Sequence, residues 1–151
     1  MITPLRPVPA GRVLVAGGGR DLLWLPEQIA AALLARTGGQ VVHGLLHGGA
    51  RGADRAIGRA ARQLGWPVAV LPADWHRHGR AAGPIRNREL LELAISRAVA
   101  LSSAAAPVSV LVVAFPGGAG TASLVQQARR MAASAPVPIS VAQISQPPAL
   151  P

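Results

Sequence analysis

Two glycine-rich stretches hold the residues best suited to chemistry. One is Phe115-Pro116-Gly117-Gly118-Ala119-Gly120-Thr121, set between an apolar run, Val108 to Ala114, and a helical pattern, Ala122 to Met131. Three glycines within four residues strip the turn of side chains. Backbone N–H groups can then close on a ligand, and the helix behind them adds its positive dipole end. The guest suited to such a turn is a phosphate. Gly117, Gly118 and Gly120 would supply or admit backbone contacts, and Thr121 would add its hydroxyl. The other stretch, His47-Gly48-Gly49-Ala50-Arg51-Gly52-Ala53-Asp54, sits in the same strand-to-helix context. Gly48, Gly49, Arg51 and Gly52 are its candidate phosphate contacts. A tight turn with no ligand uses glycine in the same way, and it is the recurrence of the pattern that favours a phosphate cradle built from both.

Arginines accompany the glycines. Arg80, Arg86 and Arg88 fall in a glycine-rich loop and helix start, where guanidinium groups make an anion clamp. Arg86 leads these candidates and is the catalytic candidate if the chain is an enzyme; Asn87 is its polar neighbour. Gly17, Arg20, Asp21, Asp54, Trp75 and Arg80 are assigned to the nucleoside end of a bound ligand. Several have a second reading. Asp54 either contacts a ribose hydroxyl or serves the start of its helix. Trp75 either stacks on a base or covers the edge of the core. Arg51 either faces the ligand or begins a solvated stripe with Arg55, Arg59 and Arg62, a stripe that could also track nucleic-acid phosphates. The histidine pairs His43/His47 and His76/His78 lack a third ligand at metal-site spacing. No metal and no cofactor is expected.

Composition narrows the classes. The chain has 151 residues, half of them hydrophobic, which fits one domain with a real core. It has no cysteine, hence no disulfide, thiolate metal site or cysteine nucleophile. All fifteen basic residues are arginine, which excludes a Schiff-base lysine and a P-loop lysine. The formal charge of +9 favours anionic partners, while 3 % aromatic residues argue against a base-stacking single-strand platform. The N-terminal residues show no apolar signal-peptide core. Ala98 to Phe115 is free of charge but reads as a helix end, a loop and a buried strand, not a membrane span. The expectation is a cytoplasmic protein without membrane contact.

The elements that must position these residues follow in order. Residues 1–11 form a proline-containing leader. Strands are expected at Arg12–Ala16, Val41–Leu46, Pro67–Leu71, Val108–Ala114 and Val137–Val141. Helices are expected at Leu25–Arg36, from Arg51 or Gly52 to Leu64, from Pro84 or Ile85 to Ala98, and at Ala122–Met131, with a polar loop at 72–83 and a Pro-rich tail at 142–151. Alternating strands and helices give an α/β fold, a parallel sheet of about five strands with helices on both faces. Right-handed crossovers bring all the loops after strands to one edge, where such sheets bind ligands.

Four segments in register, Gly48–Asp54, Pro72–Trp75, Gly79–Arg88 and Phe115–Thr121, resemble the YspA-like branch of the SLOG superfamily. That superfamily also holds the LOG phosphoribohydrolases and the DNA-processing protein DprA. The resemblance spans residues 12–141 and implies a Rossmann-like fold that binds nucleotides or nucleotide-derived ligands, commonly as a homodimer. In LOG enzymes an arginine precedes P-G-G-x-G-T-x-x-E. Here Arg86 resembles that arginine and Pro116 to Thr121 the core motif, but the glutamate position is Leu124, which puts the hydrolytic reaction in doubt. Asp74 and Glu89 are the acids offered to stand in for it. Three functions follow in order: binding of a nucleotide or ADP-ribose-like ligand as sensor or processor, N-glycosidic or phosphoribosyl hydrolysis, and nucleic-acid binding as in DprA.

Overall fold

The computed structural model of the chain describes residues 7–150. Five parallel strands lie in the order β3-β2-β1-β4-β5. They are β1 (Gly11–Gly17), β2 (Val41–His47), β3 (Val68–Val70), β4 (Val108–Ala114) and β5 (Ile139–Gln143). The order reverses direction between β1 and β4, so their carboxyl ends border the crevice of a Rossmann-like α/β fold.

Each central strand is apolar on both sides because each side meets helices. Leu14, Ala16, Leu45, Leu111, Val113 and Phe115 pack beneath α1 (Pro26–Thr37) and α2 (Ala53–Gln63). Val13, Val15, Leu46, Val110 and Val112 pack beneath α4 (Ala82–Leu101) and α5 (Ala119–Ala132). A short helix, α3 (Trp75–His78), and one 3₁₀ turn, Gly79–Ala81, precede α4. Pro26 opens α1, where its missing N–H has no acceptor to lose, and Gly38 closes it at a φ of 57°. No helix among the described residues is long and apolar enough to cross a membrane.

Three boundaries differ from expectation. The polar loop at 72–83 is largely helical. Gly83 and Pro84 read as breakers, but Pro84 is the third residue of α4, a position with no intrahelical acceptor for its nitrogen. Helix α5 begins three residues before the expected Ala122, taking Ala119, Gly120 and Thr121 into its first turn. β5 lies two residues later than expected, so Ala142 and Gln143 are strand residues and Ile144 is buried in the core rather than part of the tail. At the other end, Gly11 of the expected leader pairs with Val41 and Val108. Residues 1–6 of that leader and Pro151 of the tail lie outside the described residues.

Candidate functional site

The loops after β1, β2, β3 and β4 border one cleft of about 980 Å³. Its floor is the switch point itself. The Gly19 N–H donates to the Pro116 carbonyl at 2.8 Å, and the Gly19 carbonyl accepts the Ala53 N–H at 3.1 Å, tying the turns after β1 and β4 to the start of α2. These approaches leave no room for side chains. A Cβ on Gly18 would lie 2.7 Å from that of Ala53, and one on Gly19 would lie 3.0 Å from the Gly117 Cα. A Cβ on Gly117 would strike Thr121.

Gly118 and Gly120 are different. A side chain there would meet nothing within 4 Å. Packing within the chain does not call for glycine at either position; an incoming ligand that needs close approach to the backbone would. Gly118 caps α5 without offering a side chain. The N–H groups of Ala119, Gly120 and Thr121, and the Thr121 hydroxyl, find no acceptor among the described residues. The helix start therefore presents unspent donors and the positive end of a 14-residue dipole.

At the cleft the β2–α2 turn has used two of its donors. The Gly49 N–H donates to His47 Nδ1 and the Ala50 N–H to Asp54 Oδ2, both at 3.0 Å. What it presents is acceptors: the Gly48 carbonyl and the Asp54 carboxylate. Gly48, Gly49, Ala50 and Asp54 line the cleft. Arg51 does not; it is exposed. Gly52 does not either. It holds a φ of 75°, and a Cβ there would strike the Arg20 carbonyl, so its glycine is explained by the fold.

Arg86 bridges the two turns. Its Nη1 donates to the Gly48 carbonyl at 2.9 Å and its Nε to Asn87 Oδ1 at 3.1 Å. Asn87 is 4 % exposed, and its Nδ2 donates in turn to the Gly120 carbonyl at 3.0 Å. Nη2 of Arg86 has no partner among the described residues. Burial lowers the pKa of this guanidinium, Asp54 opposing the shift and Arg20 adding to it. Burial likewise raises the Asp54 pKa, against the Ala50 N–H and Arg86, which lower it. His47 is driven down to about 4 by burial first and then by Arg62 and Arg86. Its Nε2 is buried without a partner among the described residues, facing Gly58.

At the mouth, the Arg20 guanidinium lies over the Trp75 ring, 5.4 Å from its centroid, and Trp75 is 49 % exposed. Gly17, Asp21 and Arg80 also line the cleft. Arg88 turns outward to pair with Glu92 at 2.8 Å. Of the acids offered as substitutes for the missing glutamate, Asp74 accepts the Arg77 N–H as the cap of α3, and Glu89 is exposed; neither lines the cleft. Leu124 is 3 % exposed and belongs to the core under α4 and α5. His43 Nε2 lies 2.9 Å from the Pro9 carbonyl, apart from the cleft lining.

Sequence reasoning missed the tie made by Gly19 and gave Asn87 too small a part. The triple glycine after the first strand was a usable signal for Gly19; nothing local marks the reach of Asn87 to a carbonyl thirty-three residues on.

A family model described as "YspA, cpYpsA-related SLOG family" matches residues 11–78. The chain belongs to this family. It is also 39 % identical over 89 residues to the Gene 61 protein of Mycobacterium phage D29, a stretch that covers 53 % of this chain and 67 % of that protein. No solved structure matches. Membership in the SLOG family points to a nucleotide-related function. The matched segment includes the β1 and β2–α2 turns and Trp75, whereas Arg86 and the β4–α5 turn lie beyond it.

Proposed function

We propose that the cleft binds a nucleotide or a nucleotide-derived, ADP-ribose-like ligand, as a sensor or processor of that molecule. A phosphate would sit on the unspent N–H groups of Ala119, Gly120 and Thr121, with Nη2 of Arg86 completing the clamp. The acceptors on the facing side, Asp54 and Asp21, suit sugar hydroxyls, and the Trp75 ring suits a base. The carrying observation is the start of α5, where free donors and two sterically unconstrained glycines meet at the switch point. Neither turn alone would suffice: Asp54 would repel a phosphate placed against the β2–α2 turn.

Thermal melts test the reading. AMP, ADP and ADP-ribose are expected to raise Tm where adenosine does not, a ligand at 100 times its Kd contributing about 2.7 kcal/mol. Failure of every phosphate-bearing nucleotide to shift Tm would overturn it. A LOG-type hydrolysis has no carboxylate at Leu124, so an N-glycosidic reaction would rest on Asp21 or Asp54, the two acids lining the cleft. Chromatography for free base after incubation with a nucleotide panel decides this, and only free base would revive the hydrolase. Native mass spectrometry of gently purified protein reads a retained nucleotide and the oligomeric state together, a homodimer being the expectation.

A further inference from the structure

Helix α2 carries its charge in an unusual arrangement. Arg55, Arg59 and Arg62 are all exposed. At 100° per residue they fall within an arc of about 60°, along about 10 Å of helix. Arg51 is exposed in the turn before the helix. Like charges four residues apart oppose helix formation by a few tenths of a kcal/mol each, so the fold itself gains nothing from the row.

Among the described residues no acid forms an ion pair with it. The protein's six acidic residues are Asp21, Glu27, Asp54, Asp74, Glu89 and Glu92. Asp54, the acid of α2, is 5 % exposed and turned to the Ala50 N–H. Asp21 lines the cleft, Asp74 caps α3, and Glu27, exposed in the first turn of the neighbouring α1, makes no ion pair among the described residues. Glu89 and Glu92 are on α4, across the sheet, where Arg88–Glu92 is the one ion pair among the described residues.

We infer that the outer face of α2 is a contact surface for the phosphate backbone of duplex nucleic acid. Guanidinium groups match phosphate oxygens two at a time. The other polyanions fit less well. A membrane surface needs apolar side chains to insert, but Ala53, Ile57, Ala60 and Ala61 are fully buried in the core. A single strand needs aromatic platforms, and no aromatic residue lies on this helix. Contact of this kind positions a duplex without reading its sequence.

Fluorescence anisotropy with a labelled duplex of arbitrary sequence, its single strand, and polyglutamate as competitor tests the inference. One variant carries Arg55→Glu, Arg59→Glu and Arg62→Glu. A control with the same change in charge carries Arg97→Glu, Arg129→Glu and Arg130→Glu, exposed positions across the sheet. Wild-type protein is expected to bind the duplex with a log–log salt slope steeper than about −2.7 between about 50 and about 200 mM salt, as three released counterions require. The α2 variant should lose at least about tenfold in affinity and most of that slope, the control less than about threefold. Equal losses in both variants, absence of duplex binding at the lower salt, tighter binding to the single strand, or equal competition by polyglutamate would each overturn it. Circular dichroism of both variants verifies folding, and the corresponding Arg→Gln triple repeats the test should a glutamate variant unfold.

Discussion

The β4–α5 and β2–α2 turns look alike as sequence: an apolar strand, a glycine-rich turn, then a helix. In the fold they show the cleft different polarity. Among the described residues, the β4–α5 turn ends in N–H groups with no acceptor and in glycines that no neighbour requires. The β2–α2 turn has spent the Gly49 and Ala50 N–H groups on His47 and Asp54, and what it shows the cleft is a carboxylate and a carbonyl already held by Arg86. Glycine therefore has two meanings within one site. At Gly48 and Gly52 it admits the protein's own atoms; at Gly118 and Gly120 it leaves room for something else.

The harshest way to break this comparison is Gly52→Val. The substitution forces a β-branched residue to a φ of 75° and drives its Cβ into the Arg20 carbonyl. Strain of about 1–3 kcal/mol and the clash together should lower stability by at least about 3 kcal/mol, some 6–12 °C in Tm. If a thermal melt shows Gly52→Val within about 2 °C of wild type, the structural role assigned to this turn is wrong.

Next in size is the acid limb of stability. His47 holds its turn by accepting the Gly49 N–H, and burial with Arg62 and Arg86 lowers its pKa from 6.5 to about 4. Between those values the unfolded chain binds the proton that the folded one refuses. The contribution is whole above pH 6.5 and is lost as the pH falls toward 4, by about 3 kcal/mol at most. Asp54 acts with the opposite sign, because its raised carboxyl pKa lets the folded state take up a proton first as the pH drops. Urea unfolding of wild type and His47→Asn across this range separates the two. Asparagine can still accept the Gly49 N–H but does not titrate, so its curve should lack the histidine's slope; parallel curves would exclude the ring.

Much of this contrast was invisible in the sequence. The strands were legible because both their sides are buried: Val108–Ala114 was read to the residue, and the parallel sheet followed from alternation of strands and helices. The helices before and after β4 were harder, since Gly83, Pro84 and Gly120 all sit in first turns, where breaker residues do little harm. The position of Arg51 inside the glycine motif suggests a ligand contact, whereas in the fold it is exposed and outside the cleft lining. Arg86 was legible as a candidate, while its partner, a carbonyl thirty-eight residues earlier, has no sequence signature at all. Backbone acceptors are the same in every residue, so only the fold can select one.

That carbonyl gives a third test, of the link between the turns. Arg86→Ala removes the bridge and leaves the Gly48 oxygen without its donor. A charge-assisted hydrogen bond is worth about 1.5–3 kcal/mol, so nucleotide affinity should fall about 10- to 100-fold by calorimetry. Arg86→Lys should restore little, because a lysine cannot keep the geometry of Nε on Asn87 and Nη1 on Gly48 at once. Affinity unchanged in Arg86→Ala would confine the arginine to a purely structural role.

The smallest expected effect on stability discriminates best. Helix α5 begins at Gly118 without a side-chain cap, and a side chain there meets no neighbour. Gly118→Asp supplies a carboxylate where the fold has open space. As a cap it should accept one of the free N–H groups of the first turn and favour the dipole, changing stability by a gain of at most about 1 kcal/mol. The same carboxylate occupies the seat proposed for a phosphate and repels one nearby, so nucleotide binding should disappear from a protein that melts no lower than wild type. The matching change in the other turn, Gly48→Asp, should instead cost stability, because its Cβ collides with the Arg86 guanidinium. If Gly118→Asp melts lower, or binds nucleotide as before, the β4–α5 turn is not the anion end of the site, and the two turns differ only in shape.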